Sequence, residues 1–358
     1  MLPKQTAARY ILSSSPHAHA AASVHGMMRD VILALMPAAC TAVWFFGMRA
    51  VWLIGVCIAS CVATEALCRL AMKRESSVGD LSAVLTGLLL AFNLPPDLPL
   101  WMAVAGSVFA IAIAKQAFGG LGYNPFNPAL AARAFMLVSF TGAMTTWSSS
   151  GWTAHLGHST YATKLADAAT GATPVAQTML DGVTTATPLG ILKTYATKPD
   201  ALLAMDWNST GLLRDLFVGN VNGCIGEVSA LALLAGAAYL LIRRVITWHI
   251  PVSFIATVFL YALIKGGPIP PLVHVLSGGV ILGACFMATD YVTSPITAKG
   301  KLIFGFGCGL ITMLIRTSPT GAYPEGVSFS ILVMNAVAPL IDRFTQPKTF
   351  GAKKKAAK

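Results

Sequence analysis

Charge is what this chain has least of. Of its 358 residues, 25 are Lys or Arg and 14 are Asp or Glu, so only 11% are charged, where a soluble domain carries roughly 25%. Apolar residues make up 55%, and the mean hydropathy is +0.68. This deficit excludes an ordinary soluble enzyme and predicts an all-α polytopic membrane protein. A Walker loop, a dinucleotide fingerprint and a nucleophile elbow are also missing from any credible strand–helix context. No apolar stretch precedes a small-residue cleavage site near the start, so the first residues do not read as a cleavable signal.

Metal and nucleic acid are disfavoured next. Cys40, Cys57, Cys61, Cys68, Cys285 and Cys308 fall in apolar runs, and Cys224 stands just before one. Cys57 and Cys61, four apart, share a helix face rather than a zinc or cluster ligand spacing. Small buried hydrophobes is the better reading. His17 and His19 have no further ligand nearby, so no metal is assigned. The net charge of +11 raises the question of nucleic acid. Its distribution answers no, because the basic residues sit in short loops and tails, as topology signals do.

Ten apolar runs lie near 31–47, 51–70, 79–94, 98–117, 128–146, 225–242, 246–264, 272–288, 302–316 and 327–342. Some fall short of the about 20 residues a straight span needs, and their Ser, Thr and Gly flanks restore the length. Ten spans put both ends on one side. With the ends inside, 17 Lys and Arg lie in inside segments and 7 in outside ones, Arg316 at the end of the ninth run counted among the latter, so both termini are expected in the cytoplasm. The organisation read from this is a cytoplasmic segment 1–30, spans 31–146, a periplasmic interval 147–224, spans 225–342 and a basic cytoplasmic tail 343–358.

Two short echoes suggest duplication. Val84-Leu85-Thr86-Gly87 matches Val275-Leu276-Ser277-Gly278, and Leu121-Gly122-Tyr123 faintly matches Gly321-Ala322-Tyr323, each with proline close behind. The paired runs are five crossings apart, which predicts a 5+5 inverted repeat with broken helices around a site near the midplane.

Residues Phe118 to Ala129 are dense in Gly, Asn and Pro. They read either as a cofactor or ion loop or as a tight turn with Pro128 starting the next helix. Glu65, Lys115, Arg133, Glu227 and Asp290 lie in or at the ends of apolar runs. Charge there is costly and functional by default, although snorkelling explains those near span ends. Lys115 and Asp290, both toward the cytoplasmic face, are the ion-pathway candidates. Gly279/Gly283 and Gly305/Gly309 have the spacing of close helix packing.

The long hydrophilic interval contains Asp181-Gly182-Val183-Thr184-Thr185-Ala186-Thr187-Pro188-Leu189. Pro188 disfavours helix at Thr187 and Gly182 loosens the approach, which leaves the hydroxyl of Thr187 accessible. A Thr-rich turn bonding to its own backbone is the ordinary alternative. The stretch resembles the flavin-attachment motif of bacterial membrane electron-transport subunits, in which FMN is joined to threonine through a phosphoester. Asp181, Ala186 and Pro188 complete the motif around Thr187. The rival Ala172-Thr173-Pro174 lacks the Gly-Val and Leu that flank the better match.

Ser15-Pro16-His17 also matches that family, though it reads equally as a Pro-started surface helix. Further matches are Gly119–Ala129, Gly223–Glu227, Met287–Pro295 and Tyr323–Gly326, with Tyr291 standing where proline is usual. In order, these cover essentially the whole chain. The chain resembles the family shared by the D-type component of the Rnf ion-translocating complex and the B-type component of sodium-translocating NADH:quinone oxidoreductase. The brief 30-residue start favours the Rnf branch.

The resemblance implies an inner-membrane subunit linked to ferredoxin and NAD, coupling electron transfer to Na+ or H+ movement. It implies covalent FMN on Thr187, and it allows a second, non-covalent flavin such as riboflavin. It also implies other Rnf subunits, a flavin transferase and the bilayer as partners, with nicotinamide chemistry on another subunit. A cofactor-free channel or secondary transporter is the competing reading, since fold does not fix function.

Overall fold

The structure, a computed structural model, describes residues 23–75, 77–146, 210–219, 223–266, 269–318 and 326–347. Among these residues every regular element is a helix. In the first half they are α1 (Val24–Phe46), α2 (Met48–Ala71), α3 (Ser82–Phe92), α4 (Leu100–Val108), α5 (Pro128–Ser139) and α6 (Thr141–Thr145). The second half has α7 (Thr210–Val218), α8 (Ala230–Ile242), α9 (His249–Lys265), α10 (Pro271–Leu276), α11 (Val280–Leu282), α12 (Ala298–Thr317) and α13 (Val327–Thr345).

Among the described residues, five helices are long and apolar enough to cross a membrane: α1, α2, the Leu100–Phe118 helix that α4 opens, α12 and α13. Four shorter apolar helices, α3, α5, α8 and α9, join them. With the broken segment Pro271–Met287 they occupy the predicted runs, and the chain is a polytopic helical membrane protein. The largest boundary shift is at α1, which begins at Val24 rather than near 31. Ser23 accepts the Gly26 N–H at 3.1 Å, an N-cap that carries the helix through His25, Arg29 and Asp30. Within the interval expected to be loop-like, residues 210–218 form α7, which buries Leu212 and Leu216.

Packing follows the same order in both halves. α2 packs on α3 and α4, as α9 packs on α10 and α12, and α4 meets α5 as α12 meets α13. That is the arrangement an internal repeat requires. The halves join through α1 and α8, where Gly236 permits the approach, because a Cβ there would overlap the Ala34 carbonyl oxygen. Gly305 and Gly309 do the same for α12 on α9, since their Cβ atoms would lie 2.8 Å from Ile250 O and 2.9 Å from Phe254 O. The predicted small-residue packing is therefore present at this pair.

One apolar core runs through both halves, containing Leu53, Phe92 and Leu130 of the first and Phe254, Phe286 and Ile331 of the second. Trp52, Leu67 and Leu70 of α2 and Ile264 of α9 are exposed. Lipid is the solvent such an apolar surface needs.

Two helices change their winding near one end of the bundle. α4 passes into a π-helix at Phe109–Ile113, and α11 into another at Gly283–Met287. Ala114 N–H then bonds Phe109 O at 3.1 Å and Ala288 N–H bonds Gly283 O at 2.7 Å. Such insertions are frequent at functional sites, because they re-aim the residues that follow.

Candidate functional site

The residues that follow both π-helices line one pocket. It is a concave, mostly apolar site with a few convergent polar groups, the character of small-molecule and cofactor sites. Its apolar walls come from Met27 and Val31 of α1, Leu85 and Leu89 of α3, Leu240 of α8 and Phe286. Its polar groups are Ser82, Thr86, Lys115, Asn124, Asn127, Thr289 and Asp290.

The Gly-rich loop supplies one wall. Gly119, Gly120 and Gly122 have φ of 125°, 104° and 93°, values that side chains seldom adopt. They turn the chain so that Asn124 and Asn127 return to the pocket. Asn127 then caps α5, accepting Ala129 N–H at 3.1 Å, with Pro128 in the first turn. The loop starts a helix at Pro128, as the tight-turn reading has it, and it also faces a cavity. The buried Asn124 Oδ1 accepts no hydrogen bond from the described residues.

Lys115 is buried in the pocket wall. Its Nζ donates to Glu65 Oε2 at 2.9 Å and to Ser82 Oγ at 2.6 Å. Glu65, fully buried on α2, also accepts Ser77 Oγ–H at 2.6 Å and Gln116 Nε2–H at 2.9 Å. Burying such a pair takes several kcal/mol of desolvation from each ion, and only excellent geometry with further hydrogen bonds repays it. Here Glu65 has those bonds.

On the opposite wall, half-buried Asp290 follows the second π-helix. Its carboxylate accepts Val292 N–H at 3.4 Å and Thr293 Oγ1–H at 3.3 Å. In this loop burial raises its pKa above the usual carboxylate value, and the two hydrogen bonds oppose the rise.

A second charged cluster lies deeper, where α3 ends and the Pro271–Met287 segment breaks. Arg133 Nη1 donates to Asn93 Oδ1 at 2.5 Å and to Glu227 Oε1 at 3.2 Å. Arg133 Nη2 reaches Cys224 Sγ at 3.5 Å, and that thiol donates to Asn93 O at 3.4 Å. Arg316 donates to His274 O at 2.6 Å and Ser277 O at 3.1 Å, serving carbonyls at the end of α10. Glu227 stands by the start of α11, where a Cβ on Gly279 would lie 2.8 Å from its Oε1. A cation at a helix C-terminus and an anion at an N-terminus both favour the local dipole. The break is thus stabilised from both sides.

The structure brings the two ion-pathway candidates, Lys115 and Asp290, into one pocket, although they come from different halves. It pairs Glu65 with Lys115 and Arg133 with Glu227. Thr187, with Asp181, Ala186 and Pro188, lies outside the described residues. Arg316, which the sequence pattern counts among the outside loop charges, is instead a buried residue of α12. Cys224 is not merely a small hydrophobe, because its thiol bonds within the charged cluster, and Cys40 is exposed. Ser82 and Asn93 do not stand out in the sequence. Both lie at the helix–loop boundaries of α3, where a serine or asparagine has ordinary local uses.

The chain matches the NQR2, RnfD, RnfE family over residues 11–351. It is 48% identical over 345 residues to the D-type component of the Na(+)-translocating ferredoxin:NAD(+) oxidoreductase complex of Acetobacterium woodii, covering 96% of each chain. Identity to the D-type component of the proton-translocating ferredoxin:NAD(+) oxidoreductase complex of Clostridium ljungdahlii is 44% over 350 residues, which is 96% of this chain and 97% of that one. To the D-type component of the ion-translocating oxidoreductase complex of Stutzerimonas stutzeri it is 40% over 344 residues, 92% of each. Nearly end-to-end matches at this identity, on a helical bundle with the expected loops, place the chain in the NQR2, RnfD, RnfE family.

Proposed function

We propose that this chain is the D-type membrane component of a bacterial ion-translocating ferredoxin:NAD+ oxidoreductase, relaying electrons through flavin and coupling them to Na+ or H+ movement. The observation that carries the reading is the 48% identity to a component of that description across 96% of both chains. In this reading the pocket end of the bundle faces the cytoplasm. The 147–224 interval faces the periplasm of a cell inner membrane, as the Lys/Arg bias predicts. Other subunits of the complex supply the nicotinamide and ferredoxin chemistry.

Two flavins fit the proposal. Thr187 carries FMN through a phosphoester, attached by a flavin transferase. This part rests on the Asp181–Leu189 motif and the family. A second, non-covalent flavin such as riboflavin occupies the pocket. The residues present suit it: apolar walls for a planar ring, Asn124 Oδ1 as an unsatisfied acceptor, and Lys115, Thr289 and Asp290 as polar contacts. A flavin accepts one or two electrons, and the protein positions and tunes it.

The wild-type chain, matured with its transferase and run on a denaturing gel, is expected to give an ultraviolet-fluorescent band. Thr187→Ala is expected to abolish that band while the protein still inserts in the membrane. Fluorescence persisting in Thr187→Ala places the ester elsewhere, and a dark wild-type band favours a cofactor-free transporter instead. The peptide 181–193 is expected to carry the added mass of FMN, a measurement that tests class and site together.

A further inference from the structure

Beyond the ligand it holds, the pocket has a hydrogen-bonded exit. Lys115 Nζ donates to Ser82 Oγ at 2.6 Å, and Ser82 Oγ donates in turn to Asp80 Oδ1 at 2.5 Å. Ser82 N–H also holds that carboxylate oxygen at 2.8 Å. Asp80 is half-buried at the end of the bundle, in the 3-10 turn Val78–Asp80. Leu81, between the two, has φ 62°, a left-handed conformation a leucine holds only when its surroundings impose it. That turn folds the Asp80 carboxylate back onto Ser82.

We propose that Asp80, Ser82 and Lys115 form a proton relay between the solvent at the pocket end and the redox ligand in the pocket. The proposal rests on the reading of a second flavin there. As the complex's own redox chain delivers an electron pair to the bound ring, Lys115 gives up one Nζ proton to it. Solvent protonates the Asp80 carboxylate, which hands that proton to Ser82 Oγ as the Ser82 hydroxyl passes its own to the Lys115 amine, leaving Asp80 a carboxylate again. Two electrons and one proton enter the ring, and the relay ends as it began.

The surroundings favour this role. Glu65 makes a neutral lysine costly, because the carboxylate would be left buried without its cation. The lysine therefore recovers its proton quickly and serves as a conduit rather than a reservoir. Among the described residues, other charged or titratable groups around Lys115 include Cys61 and Arg69 of α2, with Asp290 and Tyr291 across the pocket. His25 of α1 bonds the neighbouring Gly79 O at 2.9 Å. Asp290 is separated from the Lys115 side by the cavity and bonds within its own loop, so it is not a member of the relay.

The test uses the intact detergent-purified complex, with a pH-indicator dye and stopped-flow reduction. Flavin released on denaturation is measured first in each preparation. Ser82→Ala and Asp80→Asn are expected to slow the proton uptake that accompanies reduction of the non-covalent flavin by about 100-fold, the scale of a lost acid–base group. Ser82→Thr, which keeps the hydroxyl, is expected to restore it. Imidazole added to Asp80→Asn is expected to recover much of the rate, which a merely structural role would not allow. Uptake at the wild-type rate in both Ser82→Ala and Asp80→Asn overturns the relay. A complex that takes up protons but releases no non-covalent flavin instead overturns the second-flavin reading, and the relay's assignment with it.

Discussion

In the pocket wall one lysine faces one glutamate, whereas deeper in the bundle two arginines sit about a single glutamate. The first cluster is local. Glu65, Ser77, Ser82, Lys115 and Gln116 all belong to the first half, and they bond to one another. The second spans the molecule, since Asn93 and Arg133 come from the first half and Cys224, Glu227 and Arg316 from the second. Its charges also serve the backbone, because Arg316 occupies carbonyls that the broken α10 leaves open. Buried charge here has two uses. One cluster holds the halves and a broken helix in place, and the other presents an ionisable group to a cavity.

Substitutions that separate these uses test the comparison. The largest effect is expected from Lys115→Met, which leaves Glu65 buried without its cation and costs about 3–5 kcal/mol. Adding Glu65→Leu is expected to recover most of the loss, read by thermal unfolding in detergent. If the double variant is as unstable as the single one, the pair is not a self-contained unit. Arg316→Gln removes donors from two buried carbonyls and is expected to cost about 1–3 kcal/mol. Under the proposed pocket flavin, that loss should appear without change in the flavin released on denaturation.

Gly279→Ala pushes a methyl toward Glu227 Oε1, 2.8 Å away, and is expected to cost about 1–3 kcal/mol through overpacking. Combining it with Glu227→Gln should give less than the sum of the two losses, since both act on one contact. The smallest effect belongs to Arg243, whose guanidinium meets Asp30 Oδ2 at 3.1 Å from a largely exposed position. Arg243→Gln should lower stability less than any of these substitutions, and less still at high salt. A larger loss there would mean that charge at the bundle's rim matters as much as charge in its interior.

Much of the scaffold is legible in the sequence. The apolar runs are the helices, and the Gly305/Gly309 spacing is the α9–α12 contact. Glu65, Lys115, Arg133, Glu227 and Asp290 draw attention because charge is scarce among apolar residues, and each has hydrogen-bonding partners in the fold. Arg316 reads wrongly as a loop charge because hydropathy locates a span end only to within a few residues. It cannot tell a loop charge from one turned back onto a broken helix. Ser82 is silent for a different reason: a serine near a helix start has many local uses, and nothing in its neighbours marks this one.

By itself the sequence determined that this is a helical membrane protein of a particular family. It also picked out Thr187 as the flavin acceptor to test, since composition, order of spans and a linear motif are all properties of the chain. Only the tertiary structure decided that Lys115 and Asp290, 175 residues apart in the chain, face one cavity, and that Ser82 connects the first of them to Asp80. The reason is geometric. A hydrogen bond depends on positions set by the packing of several helices, and two π-helices shift those positions by amounts that no local pattern records.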